Sequence, residues 1–184
     1  MMTMRPRILL AVLFALSSSP AFAHPVDEVV QGAYLTLAPG GVSLELDVTP
    51  GEKVADSVIM SLDPNGDGKV TDSEAKGYAR KVLAGSTLTL DGKATSWTLD
   101  RVEVPDVALL RVGGGILKIH ATAKRADRAG TRTLSYVNRY APAKTQPTAN
   151  VFLQPRSGWT FGVTKQTRSN DGRSLTVTYT QGRS

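Results

Sequence analysis

The run Tyr34-Leu-Thr-Leu-Ala-Pro-Gly-Gly-Val-Ser-Leu-Glu-Leu-Asp-Val-Thr49 sets the architecture of the chain. Val42, Leu44, Leu46 and Val48 alternate with Ser43, Glu45, Asp47 and Thr49. That period of two belongs to a strand with one face packed inward and the other in water. Tyr34 to Ala38 is a second β-prone run, and Pro39-Gly40-Gly41 between the two is turn chemistry, so the stretch predicts a β-hairpin.

The same grammar recurs downstream. Thr87 to Leu90 is a strand candidate, Asp91-Gly92 a turn dipeptide, and Ser96 to Val104 a further strand stopped by Pro105, which predicts another hairpin. Val107 to Lys124 holds two apolar runs broken by Gly113-Gly114-Gly115. In the second run Leu117, Ile119, Ala121 and Ala123 alternate against Lys118, His120, Thr122 and Lys124, which puts His120 on the polar face. Strands are expected at Arg132 to Tyr140, Gly158 to Gln166 and Ser174 to Thr180, with a turn at Asn170-Asp171-Gly172. Ala141 to Ala149, with Pro142 and Pro147, reads as a loop. Short strands at this spacing predict an α+β domain that is mostly an antiparallel β-sandwich, Ig-like or an open barrel.

The helical part interrupts the strands at about residues 49–84 and is organised on Asp63-Pro-Asn-Gly-Asp-Gly-Lys-Val-Thr-Asp-Ser-Glu74. These twelve residues carry the EF-hand calcium-loop pattern: Asp63, Asn65, Asp67, Lys69, Thr71 and Glu74 occupy ligand positions 1, 3, 5, 7, 9 and 12, and Gly68 occupies position 6. A hard cation of calcium's size takes six to eight oxygens. Asp63, Asn65 and Asp67 offer side-chain oxygens, Lys69 its backbone carbonyl, Thr71 a direct or water-bridged contact, and Glu74 both carboxylate oxygens. Before the loop, Ala55, Val58, Ile59 and Leu62 have the spacing of one helical face, and after it Ala75, Tyr78, Ala79 and Val82 repeat that spacing up to Gly85. Thr49-Pro50-Gly51-Glu52 reads as the start of the first helix, with Thr49 as N-cap, Pro50 at the first helical position and Glu52 completing a capping box. The pattern occurs once, so this hand has no partner hand in the chain to pair with through Val70 at position 8.

The first residues bear on compartment. Arg5 and Arg7 precede an apolar segment, Ile8 to Leu16, and Ala21-Phe22-Ala23 is a small-x-small cleavage site. Residues 1–23 are expected to be a signal peptide, leaving a single domain over 24–184 in the periplasm or outside the cell, with no transmembrane segment after cleavage. The chain has no cysteine, which excludes disulfides and thiolate metal sites. Its formal charge of +6 is uneven. His24 to Asp100 holds 6 basic and 12 acidic residues, whereas Arg101 to Ser184 holds 14 basic and 4 acidic. The basic half suits an envelope protein or an anionic surface; it lacks the clustered run of a nucleic-acid tract.

Several motifs carry a resemblance. His24-Pro25 after the leader, the hairpin from Tyr34 to Val48, the Asp63-Pro-Asn-Gly-Asp-Gly loop followed by Ser73-Glu74-Ala75 and Tyr78, the strand Leu88-Thr-Leu-Asp91-Gly92, and Gly158-Trp159 together resemble the extracytoplasmic N-terminal domain of bacterial nickel/cobalt transporter-like proteins. The resemblance implies a free periplasmic relative of a domain associated with metal transport. Three function classes follow. The first is a non-enzymatic calcium-binding protein in which the ion is a structural clip or a weak sensor. The second is nickel, cobalt or copper handling by the processed N-terminus, where the α-amine and imidazole of His24 chelate and His120 is the one other histidine. An enzyme is the third and is not expected: the chain has no Gly-x-Ser-x-Gly elbow, phosphate-binding glycine loop or His-Glu-x-x-His motif, and the carboxylates Asp27, Glu28, Asp100 and Glu103 read as surface charges.

Overall fold

The computed structural model describes residues 26–184, so the leader and His24 lie outside it. The hairpin forms as β1 (Val29–Ala38) and β2 (Gly41–Pro50), paired antiparallel from Val29↔Pro50 to Ala38↔Gly41. Its inward residues, among them Leu35, Leu37, Leu44, Leu46 and Val48, are buried. After the helical insertion come β3 (Ser86–Leu90), β4 (Lys93–Thr95) and β5 (Thr98–Glu103). Then follow a short helix (Val107–Arg111) and the strands β6 (Leu117–Lys124), β7 (Gly130–Asn138), β8 (Thr145–Leu153), β9 (Trp159–Arg168) and β10 (Ser174–Arg183).

The strands form two five-stranded sheets, β5-β6-β2-β1-β8 and β4-β3-β7-β10-β9. Every pairing is antiparallel except β1 with β8. One apolar cluster joins the inner faces, with Leu35, Leu44 and Ile119 from the first sheet and Leu134, Tyr136, Leu175 and Val177 from the second. The architecture is a largely antiparallel β-sandwich carrying a minor helical part.

The insertion consists of a 3₁₀ turn (Glu52–Val54), helix α1 (Ala55–Leu62), a connecting loop and helix α2 (Asp72–Ala84). The two apolar faces read from the sequence are the buried ones: Ala55, Val58, Ile59 and Leu62 on α1, and Ala75, Tyr78, Ala79 and Val82 on α2. Both faces enter the shared core, so the helices close over one end of the sandwich. The Tyr140 hydroxyl donates to that of Tyr78 at 3.1 Å, fastening α2 to the chain just beyond β7. A polar bridge also crosses the interior: Asn138 donates to Gln31 Oε1, Gln31 Nε2 donates to Tyr140 O, and the Tyr140 amide donates to Asn138 Oδ1.

Three local expectations are corrected. Thr49 and Pro50 do not start a helix; they end β2 opposite Val30 and Val29, and neither the 3₁₀ turn nor α1 has a side-chain cap. Pairing with β1 carries the strand two residues into the helix-start signature. The first apolar run after Pro105, whose type the sequence leaves open, is a helix (Val107–Arg111, hereafter α3) with Leu110 fully buried. Ala141 to Ala149 is not all loop: Thr145 onward is β8, with Pro147 opposite Gln31. Proline survives there because β8 is an edge strand, where its missing N–H breaks no ladder bond on the free side. The turn over Asn170-Asp171-Gly172 packs against that strand so closely that a Cβ on Gly172 would lie 2.1 Å from Pro147 O, and its φ is +72°. Only glycine fits there. The expected second hairpin is also shorter than read, since β3 turns at Asp91-Gly92 into three-residue β4 and the chain then crosses to the other sheet as β5.

Candidate functional site

Leu62 ends α1 and Asp72 begins α2, which leaves nine residues of loop backbone between two packed helices. Asp63 organises that loop. It is 5% exposed; its Oδ1 accepts from the Gly66 amide and its Oδ2 from the Gly68 amide, both at 2.9 Å. Gly66 and Gly68 have φ of +70° and +78°, a region that side chains enter at a cost and glycine enters freely. Asn65 Oδ1 accepts from the Asp67 amide at 2.9 Å, and Asp67 Oδ1 from the Lys69 amide at 2.8 Å. Successive side chains thus fold back on the backbone, and three oxygen-bearing residues, Asp63, Asn65 and Asp67, are held within one tight turn. Val70 is half-buried and packs on the core.

At the far end of the loop, Thr71 caps α2. Its Oγ1 accepts from the Glu74 amide at 3.3 Å, while Glu74 Oε2 accepts from the Thr71 amide at 2.9 Å and from its hydroxyl at 2.7 Å. This is a reciprocal capping box. Glu74 therefore faces Thr71. Among the described residues, no three His, Cys, Asp or Glu side chains come close enough together to hold a metal ion. The polar groups of the loop are hard oxygens, from the three carboxylates Asp63, Asp67 and Glu74 and from amide, hydroxyl and backbone groups, which suit a hard cation rather than a soft metal. Lys69 stands where only a backbone carbonyl is required, so its ammonium is no obstacle.

His120 lies elsewhere, on the outer face of the first sheet as its strand alternation requires. Its Nε2 is 3.0 Å from Glu103 Oε1 and its Nδ1 is 3.7 Å from Glu45 Oε2, with the side chain 12% exposed. Beside it Lys118 bridges Glu45 at 2.8 Å and Asp47 at 3.5 Å. The hydrogen bond to Glu45 raises the Lys118 pKa; burial raises that of Asp47 despite the opposing Lys118 charge; and the Arg101 hydrogen bond, helped by His120, lowers that of Glu103. Glu45, Asp47, Arg101, Lys118 and His120 line a groove of about 610 Å³ flanked by Tyr34 and Phe152, whose rings lie 6.5 Å apart. Sequence reading singled out His120 but not Glu45, Asp47 or Lys118 around it; the available signal was their shared outward parity on β2 and β6, which needs the pairing Glu45↔His120 to become a cluster. The two histidines cannot be brought together here, because His24 lies outside the described residues.

Trp97 donates Nε1–H to Ser86 O at 2.9 Å and is half-buried, and Tyr140 is buried. Trp159 lies under the Arg183 guanidinium at 4.2 Å. Asp27 and Glu28 pair with Lys144. Among the described residues no helix is long and apolar enough to cross a membrane. No protein-family model matches this chain, and neither does any curated protein.

Proposed function

We propose that this chain is a non-enzymatic calcium-binding protein whose helix-loop-helix is a single EF-hand, with the ion acting as a clip between α1 and α2. The observation that carries the reading is the loop around Asp63: a buried carboxylate at position 1, glycine at positive φ at position 6, and a second helix whose first turn contains position 12. Asp63, Asn65, Asp67, the Lys69 carbonyl, Thr71 and Glu74 would hold the ion. A bound divalent cation would supply positive charge to balance the carboxylates of Asp63, Asp67 and Glu74 once Glu74 turned toward it.

The chain's own residues explain why a clip, rather than a switch, is the favoured role. Both helices already bury their apolar faces in the sandwich core, and α2 is further held by the Tyr78–Tyr140 contact. A hand that opens on binding needs a helix free to swing and an apolar groove to uncover. Here the loop joins two anchored helices, so ligation of Asp63 at the end of α1 and of Glu74 in the first turn of α2 ties one fixed end to another. Glu74 would give up its hydrogen bonds to Thr71 to do so, a local side-chain rotation. Extracellular calcium modules bind at roughly 10⁻⁴ to 10⁻³ M, and we place this site in that class, consistent with a periplasmic or secreted protein. At His120 no observation favours a transition metal, since no group of three candidate ligands assembles there among the described residues.

Calorimetric titration of the mature protein with calcium and magnesium tests the proposal. One calcium site is expected, with magnesium much weaker, and Glu74→Gln should weaken calcium at least tenfold while the β body stays folded. Unchanged calcium affinity in Glu74→Gln would sink the assignment.

A further inference from the structure

One cluster of basic residues lies at the end of β2 away from the helical insertion. β2 runs from Gly41, paired with Lys124, to Pro50, which leads into the helical insertion. At the Gly41 end the β3–β4 turn, the segment after β6 and the start of β7 enclose a cleft of about 310 Å³. Its charged lining is Lys93, Lys124, Arg125, Arg128, Arg132 and Asp91.

Two of these cations are structural. Arg125 is 3% exposed; Nη2 pairs with Asp127 at 2.7 Å, Nη1 donates to Gln181 Oε1 at 2.6 Å, and its own amide donates to Gly40 O. Arg132 pairs with Asp91, whose carboxylate also accepts from the Thr133 amide at 3.0 Å. Those ion pairs consume both nearby carboxylates. Lys93, Lys124 and Arg128 then have no ion-pair partner among the described residues and are exposed. The Nε–H groups of Arg125 and Arg132, both buried, donate to no protein acceptor. A buried donor without an acceptor costs free energy, and three like charges brought together by a rigid framework repel one another, so this end is under-supplied with anionic oxygen.

We propose that this cleft binds a phosphate group, carried either by a small soluble anion or by a phospholipid headgroup. Guanidinium and ammonium groups converging from three segments match the several acceptor oxygens of a phosphate. The site is independent of the calcium reading and narrows the expected anionic partner from a whole half of the chain to one end of the fold. It also gives the molecule two poles, a cation loop over the helices and an anion cleft at the opposite turns.

The test uses the mature protein and two double variants of equal charge change. Lys124→Gln with Arg128→Gln removes exposed cleft cations that make no ion pair; Lys53→Gln with Lys165→Gln removes exposed cations elsewhere. Inorganic phosphate is titrated calorimetrically against a chloride background of matched ionic strength, and cosedimentation is measured with phosphatidylglycerol vesicles against phosphatidylcholine vesicles. Saturable binding in either arm, weakened at least tenfold by the cleft pair and less than about twofold by the control pair, supports the site, and the arm that responds identifies the source of the phosphate. Absence of saturable binding in both arms overturns it. So does equal loss in the two double variants, which marks diffuse attraction by net charge.

Discussion

Replacing Asp63 by alanine separates the two jobs given to one carboxylate. In the absence of calcium Asp63 accepts two backbone N–H bonds, from Gly66 and Gly68, each at 2.9 Å. Hydrogen bonds to a charged group contribute ~1.5–3 kcal/mol each, but both glycines are exposed and water replaces part of what is lost, so a net cost of about 2 kcal/mol is expected in chelator. For a domain of this size each kcal/mol corresponds to roughly 2–4 °C in Tm, giving a fall of about 4–8 °C. Calcium at ~100 times its Kd adds ~2.7 kcal/mol to the wild type and nothing to the variant, so in calcium the gap roughly doubles. Glu74→Gln is the companion, because glutamine can still accept from the Thr71 amide: its melting in chelator should stay within about 2 °C of wild type while the calcium increment disappears. The measurement is a set of scanning-calorimetry melts for three proteins in saturating calcium and in chelator. If Asp63→Ala melts with the wild type in chelator, the carboxylate does not hold the loop; if calcium lifts all three equally, the ion binds somewhere else.

Two other outcomes follow from the interior. Asn138→Ala strips a partner from Gln31 Oε1 and from the Tyr140 amide, two buried groups whose unpaired cost is ~1–3 kcal/mol each, so urea denaturation should show a loss of roughly 2–5 kcal/mol; a loss under about 0.5 kcal/mol would contradict the bridge between sheets. Alkali should weaken the fold through its buried phenols: burial pushes Tyr136 up to about 12 and raises Tyr78 and Tyr140. Unfolded tyrosines release their protons near pH 10 while the folded ones keep theirs, so this stability is complete below about pH 10 and declines as pH climbs toward the folded values. For Tyr136 this contribution is of the order of a few kcal/mol, and urea midpoints at pH 8, 10 and 11 that do not fall would refute it.

What the sequence revealed, and what it hid, divides by range. The alternation at Val42 to Val48 and the helical faces at Ala55 to Leu62 and Ala75 to Val82 are local periodicities, and each buried the residues it marked. Thr49-Pro50 misled because the capping signature is equally local, whereas the outcome was decided by β1 pairing alongside. Val107 to Arg111 stayed unassigned because a five-residue run has no period long enough to tell helix from strand. Pro147 hid β8, since proline's exclusion from strands lapses on an edge, and an edge is a property of the finished sheet. The loop from Asp63 to Glu74 was legible because all its residues lie within twelve positions; the cluster at His120 and the cleft at Arg125 were not, because each collects residues from separate segments.

The parallel contact between β1 and β8 governs the order in which this molecule can assemble. Val29 near the start of the domain must meet Thr145, with most of the chain intervening, before the first sheet has its edge. Such a closure forfeits a large chain entropy before it gains any contact, and folding slows as contacts become less local. The hairpins and the helix-loop-helix can form early from neighbours. The β1 flank opposite β2 has to wait, a row of unpaired amides and carbonyls able to recruit any strand that arrives first. A chain truncated before Thr145 should therefore be prone to aggregate, even though its helix-loop-helix and much of its core are already present.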